Sequence, residues 1–346
     1  MGDGRRQQHP RPISRDPVVI LPYLGYGTPK KLTVCGRVLE DEGFRPTADA
    51  DSRWRNLIRF WKRLESDEVP GARVRARGVE TVTDREGYFH LELEGSFRPG
   101  WNEVDLELTH PVRSTATARV LVPSRRARFG VISDIDDTVV YSNVTRKLRM
   151  VMTAAFSNAR TRKPFKGVAA FYRALHAGVN PVFYVSKSPW NLFAPIVEYL
   201  EVQGLPDGPV LLRDFGLFSD KNHKTRAIEQ ILRTYPALKF ILSGDSGEQD
   251  PEIYADIVQR FPQRILAVYI RTVHRKRARL ASLQSLISEV ARTGCQLVLA
   301  PEAEAAAAHA AAEGLIQASD LRAVRSERVS DEKRSSNPAA STGGLK

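Results

Sequence analysis

The stretch Phe129-Gly-Val-Ile-Ser-Asp-Ile-Asp-Asp-Thr138 decides how the rest of this chain is interpreted. Its first five residues form a short apolar run, which is typical of a strand buried in a parallel sheet. Asp134 and Asp136 follow this run directly. In open α/β sheets, ligands bind just beyond the carboxyl ends of the strands. The stretch therefore predicts a reaction centre at a sheet edge.

The two acidic side chains of this stretch predict a metal site. Asp134 and Asp136 carry like charges, which repel each other unless a cation or a shared proton lies between them. Mg²⁺ suits this position because it prefers carboxylate oxygen and keeps water positions open for a substrate phosphate. One aspartate can then attack phosphorus, while the other protonates the leaving oxygen and later activates water. Alone, however, an Asp-x-Asp pair is more often an acidic turn that caps a strand or helix.

Four further groups follow at the ends of later predicted elements. Ser186 offers a hydroxyl to a phosphoryl oxygen, although a serine at a strand end more often caps a helix. Lys224 precedes a helix and can pair with the nucleophile, although alone it would be interpreted as a surface lysine. Asp245 and Asp250 supply further oxygen ligands, or they favour the N-terminus of the following helix through its dipole.

The second half of the chain predicts a parallel α/β sheet, because short apolar runs alternate with helical segments. The candidate strands are Phe129–Ser133, Pro181–Ser186, Lys239–Ser243, Ile265–Ile270 and Gln296–Leu299. The alanine-rich segment Glu302–Gly314 predicts a closing helix that ends in glycine.

The first half predicts a small β-sandwich over residues 30–123, because short alternating strands are separated by turns. The clearest alternations are residues 73–77, 88–94 and 103–108. An amphipathic helix at Arg53–Glu65 interrupts them, and it packs on its own domain or lies on an anionic membrane. The predicted division is an N-terminal extension at 1–29, the sandwich at 30–123, a catalytic domain at 127–317 and a disordered tail at 318–346.

Composition restricts the partners and the compartment. No stretch is apolar for long enough to span a membrane, and no secretory signal follows the first arginines. Two cysteines without CxxC spacing, Cys35 and Cys295, predict buried thiols in the cytoplasm. The net charge of +12 suits an anionic partner: a phospholipid surface, a phosphorylated substrate or nucleic acid, which is not excluded. It equally suits a solvated surface.

The motifs together resemble those of the haloacid dehalogenase-like superfamily, in which they occur in this order. The residues of these motifs resemble most those of one branch, the phosphatidate phosphatase family of actin-patch-associated proteins. The stretches that carry this resemblance are Ser133-Asp-Ile-Asp-Asp-Thr138, Tyr184-Val-Ser-Lys-Ser-Pro-Trp190, Lys239-Phe-Ile-Leu-Ser-Gly-Asp-Ser-Gly-Glu248 and Asp250-Pro-Glu-Ile-Tyr254. The similarity is good over residues 127–275 and looser over the first half, including Leu21–Gly27, and over the closing helix up to Ile316.

The resemblance implies a parallel Rossmann-like domain and a role for each matching residue. It implies that Asp134 is the nucleophile of an aspartyl-phosphate and that Asp136 is the general acid and base. It implies that Ser186 and Lys224 bind the phosphoryl group. Its metal ligands for Mg²⁺ are Asp134, the carbonyl of Asp136, and Asp245. Thr138, Lys187 and Asp250 are second-rank candidates, and Lys187 departs from the family pattern by placing a positive charge where a small polar residue is expected.

The predicted activity is hydrolysis of phosphatidate to diacylglycerol and phosphate, with peripheral contact to an anionic membrane. The segment Tyr141–Lys166 is the only room for a lid, and its basic amphipathic pattern suits a lipid phosphate or packs on the core. Two alternatives stay open. The same chemistry could act on a phosphoprotein, a nucleic-acid end or a soluble metabolite, or the chain is a non-catalytic basic membrane-binding scaffold.

Overall fold

The computed structural model describes residues 17–40, 68–135, 167–213, 222–272 and 277–336. The predicted helix at Arg53–Glu65 and the predicted lid at Tyr141–Lys166 lie outside these ranges, as do Asp136 and Thr138. No helix among the described residues combines the length and the apolar character that crossing a membrane requires.

The first half of the described chain forms one mainly antiparallel sheet of eight strands. These are β1 (Val18–Pro22), β2 (Gly25–Gly27), β3 (Lys31–Glu40), β4 (Arg73–Ala76), β5 (Val79–Val82), β6 (Tyr88–Glu94), β7 (Gly100–His110) and β8 (Ser114–Val122). Their order is β1-β3-β2-β8-β7-β4-β5, with β6 also paired to β3. All but β2 and β5 contribute buried side chains to a single core. The finer prediction of a sandwich stays a prediction.

The predicted N-terminal extension is wrong for residues 18–27. Strand β1 pairs antiparallel with β3 from Val18↔Glu40 to Pro22↔Gly36, and β2 pairs with both β3 and β8. The apolar run Val18–Leu21 is too short to reveal periodicity by itself, so only its pairing partner identifies it as a strand.

The second half confirms the predicted α/β class. Six parallel strands form the second sheet: β9 (Gly130–Asp134), β10 (Val182–Pro189), β11 (Val210–Arg213), β12 (Phe240–Asp245), β13 (Ile265–Arg271) and β14 (Gln296–Ala300). Their order is β11-β10-β9-β12-β13-β14, with β9 near the centre. The order reverses between β9 and β12, which is where ligands bind in such sheets.

Helices cover both faces of the second sheet. They are α1 (Val168–His176), α2 (Phe193–Val202), α3 (His223–Thr234), α4 (Asp250–Arg260), α5 (Arg277–Ala291), α6 (Ala303–Ala312) and α7 (Asp320–Ser336). Neighbouring residues of β9 belong to different cores: Val131 lies in the core that α1, α2, α6 and α7 share, whereas Ile132 lies in the core that α3, α4 and α5 share. Both faces of the sheet are therefore buried, as in parallel sheets generally.

The predicted disordered tail is wrong for residues 320–336, which form α7. Gly167, the N-cap residue of helix α1, has no side chain that could cap the free amides of the helix. Helix α7 supplies the missing acceptors: Asp331 accepts from the Gly167 amide at 3.0 Å and Glu327 from the Ala170 amide at 2.9 Å. Val324 is fully buried. The polar composition predicted disorder, but acidic residues of this segment instead cap the N-terminus of α1.

Aromatic side chains join the first sheet to the second. Tyr23, between β1 and β2, stacks on Trp190 with a centroid distance of 4.3 Å and an interplanar angle of 9°. Tyr26 packs against Phe183, and the Tyr235 hydroxyl donates to the Gly27 carbonyl at 3.0 Å. The two sheets are consequently held by packing as well as by the connecting chain.

Candidate active site

Parallel register brings the predicted site residues to one edge of the second sheet. Asp134 ends β9 and lies beside Val185 of β10, so Ser186 is the next residue along the neighbouring strand. Ser133 lies beside Ser243 of β12, two residues before Asp245. Lys224 is the second residue of α3, and Asp250 is the first residue of α4.

Lys224 forms the centre of a buried ion cluster. Its Nζ lies 2.7 Å from Asp134 Oδ1, 2.6 Å from Asp250 Oδ1 and 3.5 Å from Glu248 Oε2. The side chains of Lys224 and Asp250 are 0% exposed and that of Asp134 is 3% exposed. A buried ammonium is stable only when it is paired, and here three carboxylates surround it.

The carboxylates compete for the positive charge. Burial, the charge of Asp250 and a hydrogen bond with Asp250 raise the pKa of Asp134 well above its ordinary value, and Lys224 only partly offsets this. Burial also raises the pKa of Asp250 against the opposing effect of Lys224. Burial works to raise the pKa of Glu248, but the hydrogen bond from Lys187 and the charge of Lys224 bring it below its ordinary value. The cluster has more negative charge than one lysine neutralises.

Asp245 organises the loop between β12 and α4. Its Oδ1 accepts from the Gly247 amide at 2.6 Å and from the Glu248 amide at 3.2 Å, while its own amide donates to Asp250 Oδ2 at 3.2 Å. This loop also explains Gly244, since an added Cβ would lie 2.3 Å from Asp250 Oδ2. Any side chain at Gly244 would displace Asp250.

The carboxylates that converge in the structure differ from the predicted metal ligands. Among the described residues, one group of acidic side chains has ligand atoms close enough to share an ion, all within 4.8 Å: Asp134, Glu248 and Asp250. Asp245 is not in this group, and Asp136 lies outside the described residues. Glu248 was not predicted as a metal ligand, although it stands inside the Gly-Asp-Ser-Gly-Glu run that marks the loop. Carboxylate oxygen is the donor that a hard divalent cation prefers, so the group fits Mg²⁺.

Lys187 and Ser186 lie on the side of the cluster formed by β10. Lys187 Nζ lies 2.9 Å from Glu248 Oε2, which explains why a lysine is accommodated at this position. Ser186 is 1% exposed, and its Oγ accepts from the Ser188 amide at 3.0 Å. That bond fixes the Ser186 hydroxyl near the turn that leads from the strand into Trp190.

Tyr172 of α1 contacts two serines near the strand ends, and it was not predicted as a site residue. Its hydroxyl lies 2.7 Å from Ser133 Oγ and donates to Ser243 Oγ at 2.8 Å, which links β9 to β12. Ser133 Oγ also donates to the Asp134 carbonyl at 3.0 Å. The sequence signal for Tyr172 is only its place on the apolar face of α1.

Arg279 of α5 holds the acidic loop, which is the loop between β12 and α4, through hydrogen bonds. Its guanidinium donates to the Ser246 carbonyl at 3.2 Å, to the Glu248 carbonyl at 2.9 Å and to both carboxylate oxygens of Glu252. The contacts with Glu252 raise the pKa of Arg279 and lower that of Glu252 in spite of its burial. The backbone that carries Glu248 is thus tied to a neighbouring helix.

Comparisons with known proteins point to one catalytic family. Residues 129–272 match the family model described as "Phosphatidate phosphatase APP1, catalytic domain". Phosphatidate phosphatase APP1 of Saccharomyces cerevisiae is 34% identical over 204 residues, covering 55% of this chain and 34% of the yeast protein. An uncharacterized protein of Schizosaccharomyces pombe is 31% identical over 207 residues, covering 56% of this chain and 34% of that protein. The chain spans about a third of the length of these curated relatives.

Similarity to solved structures adds no argument. The match to the PilB minor pilin of Streptococcus sanguinis covers 80% of this chain and 90% of the pilin chain, with 10% identity and a TM-score of 0.28. A backbone similarity this low carries no inference about fold or function.

Proposed function

We propose that this chain hydrolyses phosphatidate to diacylglycerol and phosphate, because residues 129–272 match the family model of the catalytic domain of phosphatidate phosphatase APP1. The proposal includes a haloacid dehalogenase-like catalytic unit, a Mg²⁺ requirement and an aspartyl-phosphate intermediate. The observation that carries it is the buried contact of Lys224 with Asp134 and Asp250 at the carboxyl edge of the parallel sheet.

Asp134 is the nucleophile in this proposal. A carboxylate oxygen of Asp134 attacks phosphorus, the bond from phosphorus to the glycerol oxygen breaks, and Asp136 gives its proton to that oxygen. Water then attacks the aspartyl-phosphate, with Asp136 taking the proton back, and phosphate leaves. Lys224 holds Asp134 in position through its 2.7 Å contact and stabilises negative charge that develops on the phosphoryl oxygens.

The proposed Mg²⁺ would be held by the convergent carboxylates of Asp134, Glu248 and Asp250, with the carbonyl of Asp136 and the Asp245 side chain as further candidates. When bound, the ion neutralises charge on the phosphoryl group and orients it. Asp245 fixes the loop that presents Glu248, and Ser186 offers a hydroxyl to the phosphoryl group.

Contact with an anionic membrane and a cytoplasmic location are part of the same proposal. The membrane contact is supported by the net charge of +12, since clustered Lys and Arg attract anionic lipid headgroups. A lipid substrate requires only that the enzyme reaches the membrane surface.

The test is phosphate release from phosphatidate vesicles and from p-nitrophenyl phosphate, with Mg²⁺ and with EDTA. Wild-type protein and Asp134→Asn are compared, with Asp256→Asn on the exposed side of α4 as the matched control. We expect Mg²⁺-dependent release from both esters, lost in Asp134→Asn and kept in the control. Release from the small ester alone would overturn the lipid substrate. Release that survives Asp134→Asn in folded protein would overturn the nucleophile.

A further inference from the structure

A cavity lies between the two sheets, away from the carboxylate cluster. Its volume is about 570 Å³, and its walls come from β3, β5 and β6 on one side and from β11 and α3 on the other. This volume lies within the range of small-molecule sites. Asp134, Ser186, Lys224 and Asp250 are all absent from its lining. The cavity is therefore a separate site within the described part of the chain.

Part of the cavity lining is aromatic and aliphatic. Tyr23 and Trp190 both line it, and they are fixed against each other by their stacked contact. Tyr88, Phe89 and Leu211 extend the apolar wall. Rigid rings lose little conformational entropy on ligand binding, so such a wall suits an apolar group such as an alkyl chain.

Another part of the lining carries positive charge from α3. His223, Arg226 and Gln230 recur at helical spacing on the face of α3 that borders the cavity. Arg226 is exposed and lies in the first turn, where the helix dipole also favours an anion. The lining also includes one acidic side chain, Asp84, whose Oδ1 accepts from the amides of Glu86 and Tyr88, each at 2.9 Å.

We propose that this cavity binds a single-chain amphiphile with an anionic headgroup, its chain against Tyr23 and Trp190 and its headgroup at Arg226. A fatty acid and a single-chain lipid phosphate share this chemistry. The site does not depend on the chain being a phosphatase. It does share elements with the catalytic site, because α3 carries both Arg226 and Lys224, and the segment after β10 carries Trp190 close to Ser186.

The test is isothermal titration calorimetry of the Asp134→Asn protein with dodecanoate and with dodecyl phosphate, each below its micelle concentration. This background prevents turnover of the phosphate ester if the proposed function is correct. Mg²⁺ and saturating inorganic phosphate are present throughout, so that the catalytic site is occupied. We expect saturable binding of one molecule per chain. If only one of the two anions binds, the headgroup recognised is identified.

Two pairs of variants, made in the same background, locate the binding. Val82 lines the cavity and is 56% exposed, so Val82→Trp fills the mouth without disturbing the core, and Val79→Trp on the same strand is its control. Arg226→Glu removes the positive charge, and Arg233→Glu, 71% exposed on the same helix, is its control. We expect both cavity variants to weaken binding at least about tenfold and both controls to leave it unchanged. Binding of uncharged dodecyl maltoside should be insensitive to Arg226→Glu.

Failure of both anions to bind the Asp134→Asn protein, or equal losses in Val82→Trp and Val79→Trp, would overturn the proposal. Equal losses in Arg226→Glu and Arg233→Glu would overturn the assignment of the headgroup. None of these readouts uses catalytic activity, so failure here and failure of the proposed phosphatase reaction can be told apart.

Discussion

The two sheets contain ion pairs of the same length in opposite surroundings. Arg75 and Glu107, on neighbouring strands of the first sheet, lie 2.7 Å apart with side chains 47% and 39% exposed. Lys224 and Asp134, at the edge of the second sheet, also lie 2.7 Å apart, but with side chains 0% and 3% exposed. Distance alone therefore says little about what an ion pair does.

Burial is what separates the two pairs. On the first sheet, water and salt screen the charges, and the pair only lowers the pKa of Glu107 and raises that of Arg75. In the second sheet, burial raises the pKa of Asp134 in spite of Lys224. A buried charge that loses its partner is left uncompensated, so the second cluster is expected to be sensitive and the first tolerant.

Lys224→Met is expected to have the largest effect. It leaves Asp134 and Asp250 buried without their cation, so we expect the free energy of unfolding to fall by about 3 kcal/mol and phosphate release to be lost. Urea denaturation and the phosphate assay measure the two effects. Lys239→Met, at an exposed lysine just before β12, is the matched control and should change neither. Equal behaviour of the two variants would remove the contrast between buried and exposed charge.

Gly244→Ala is expected to come next. The added methyl group would lie 2.3 Å from Asp250 Oδ2 and 2.9 Å from its Cβ, so Asp250 must move away from Lys224. We expect a loss of about 1–3 kcal/mol in stability together with most of the activity of the folded fraction. Gly130→Ala meets Phe240 at 2.5 Å at the opposite end of β9 and serves as the control. Gly130→Ala should lose stability but retain activity per folded molecule. A loss of activity in this control would show that crowding in the sheet, and not displacement of Asp250, explains the activity lost in Gly244→Ala.

Arg279→Gln is expected to weaken the site without dismantling it. Its contacts hold the backbone of the acidic loop and leave the carboxylate cluster itself in place. We expect the Mg²⁺ concentration for half-maximal activity to rise roughly tenfold, as for residues that orient metal ligands, with little change in maximal rate. Arg260→Gln is the control, because it removes only the surface contacts of Arg260 with Asp256 and Glu229. A fall in maximal rate with unchanged Mg²⁺ dependence would contradict this role.

Arg75→Ala is expected to have the smallest effect. The pair with Glu107 is open to solvent on both sides, so we expect no measurable change in the midpoint of urea unfolding or in activity. Denaturation at low and high salt provides the check. A clear loss of stability at low salt would mean that the first sheet depends on its surface charges after all.

The first sheet shows how far a pattern of alternation predicts structure. The alternations at 73–77, 88–94 and 103–108 correspond to β4, β6 and β7, because one buried and one wet face impose a period of two. Strand β2 (Gly25–Gly27) and the edge strand β11 (Val210–Arg213) were not predicted. They are too short for periodicity, and only pairing identifies them as strands, β2 with β3 and β8 and β11 with β10.

The cysteines and the site show a similar limit. Cys295 is buried and its pKa is raised to about 11 by burial, as expected of an inert thiol. Cys35 was predicted to be buried but is only partly so, lining the cavity with its Sγ 3.2 Å from His90 Nδ1. At the site, the place of Asp134 and Ser186 follows from the strand ends and that of Lys224 from the start of a predicted helix, whereas the approach of Glu248 does not follow from the sequence.

The sequence by itself determined which chemical groups the chain can bring to a sheet edge, because apolar runs mark the strands and polar motifs follow them directly. The tertiary structure decided which carboxylates converge, since Asp245 turns inward to hold its own loop and Glu248 takes the position beside Lys224. It also decided that residues 320–336 of the polar tail form helix α7, which caps α1 through Glu327 and Asp331. Hydrogen bonds between distant segments satisfy backbone groups that no local pattern reveals.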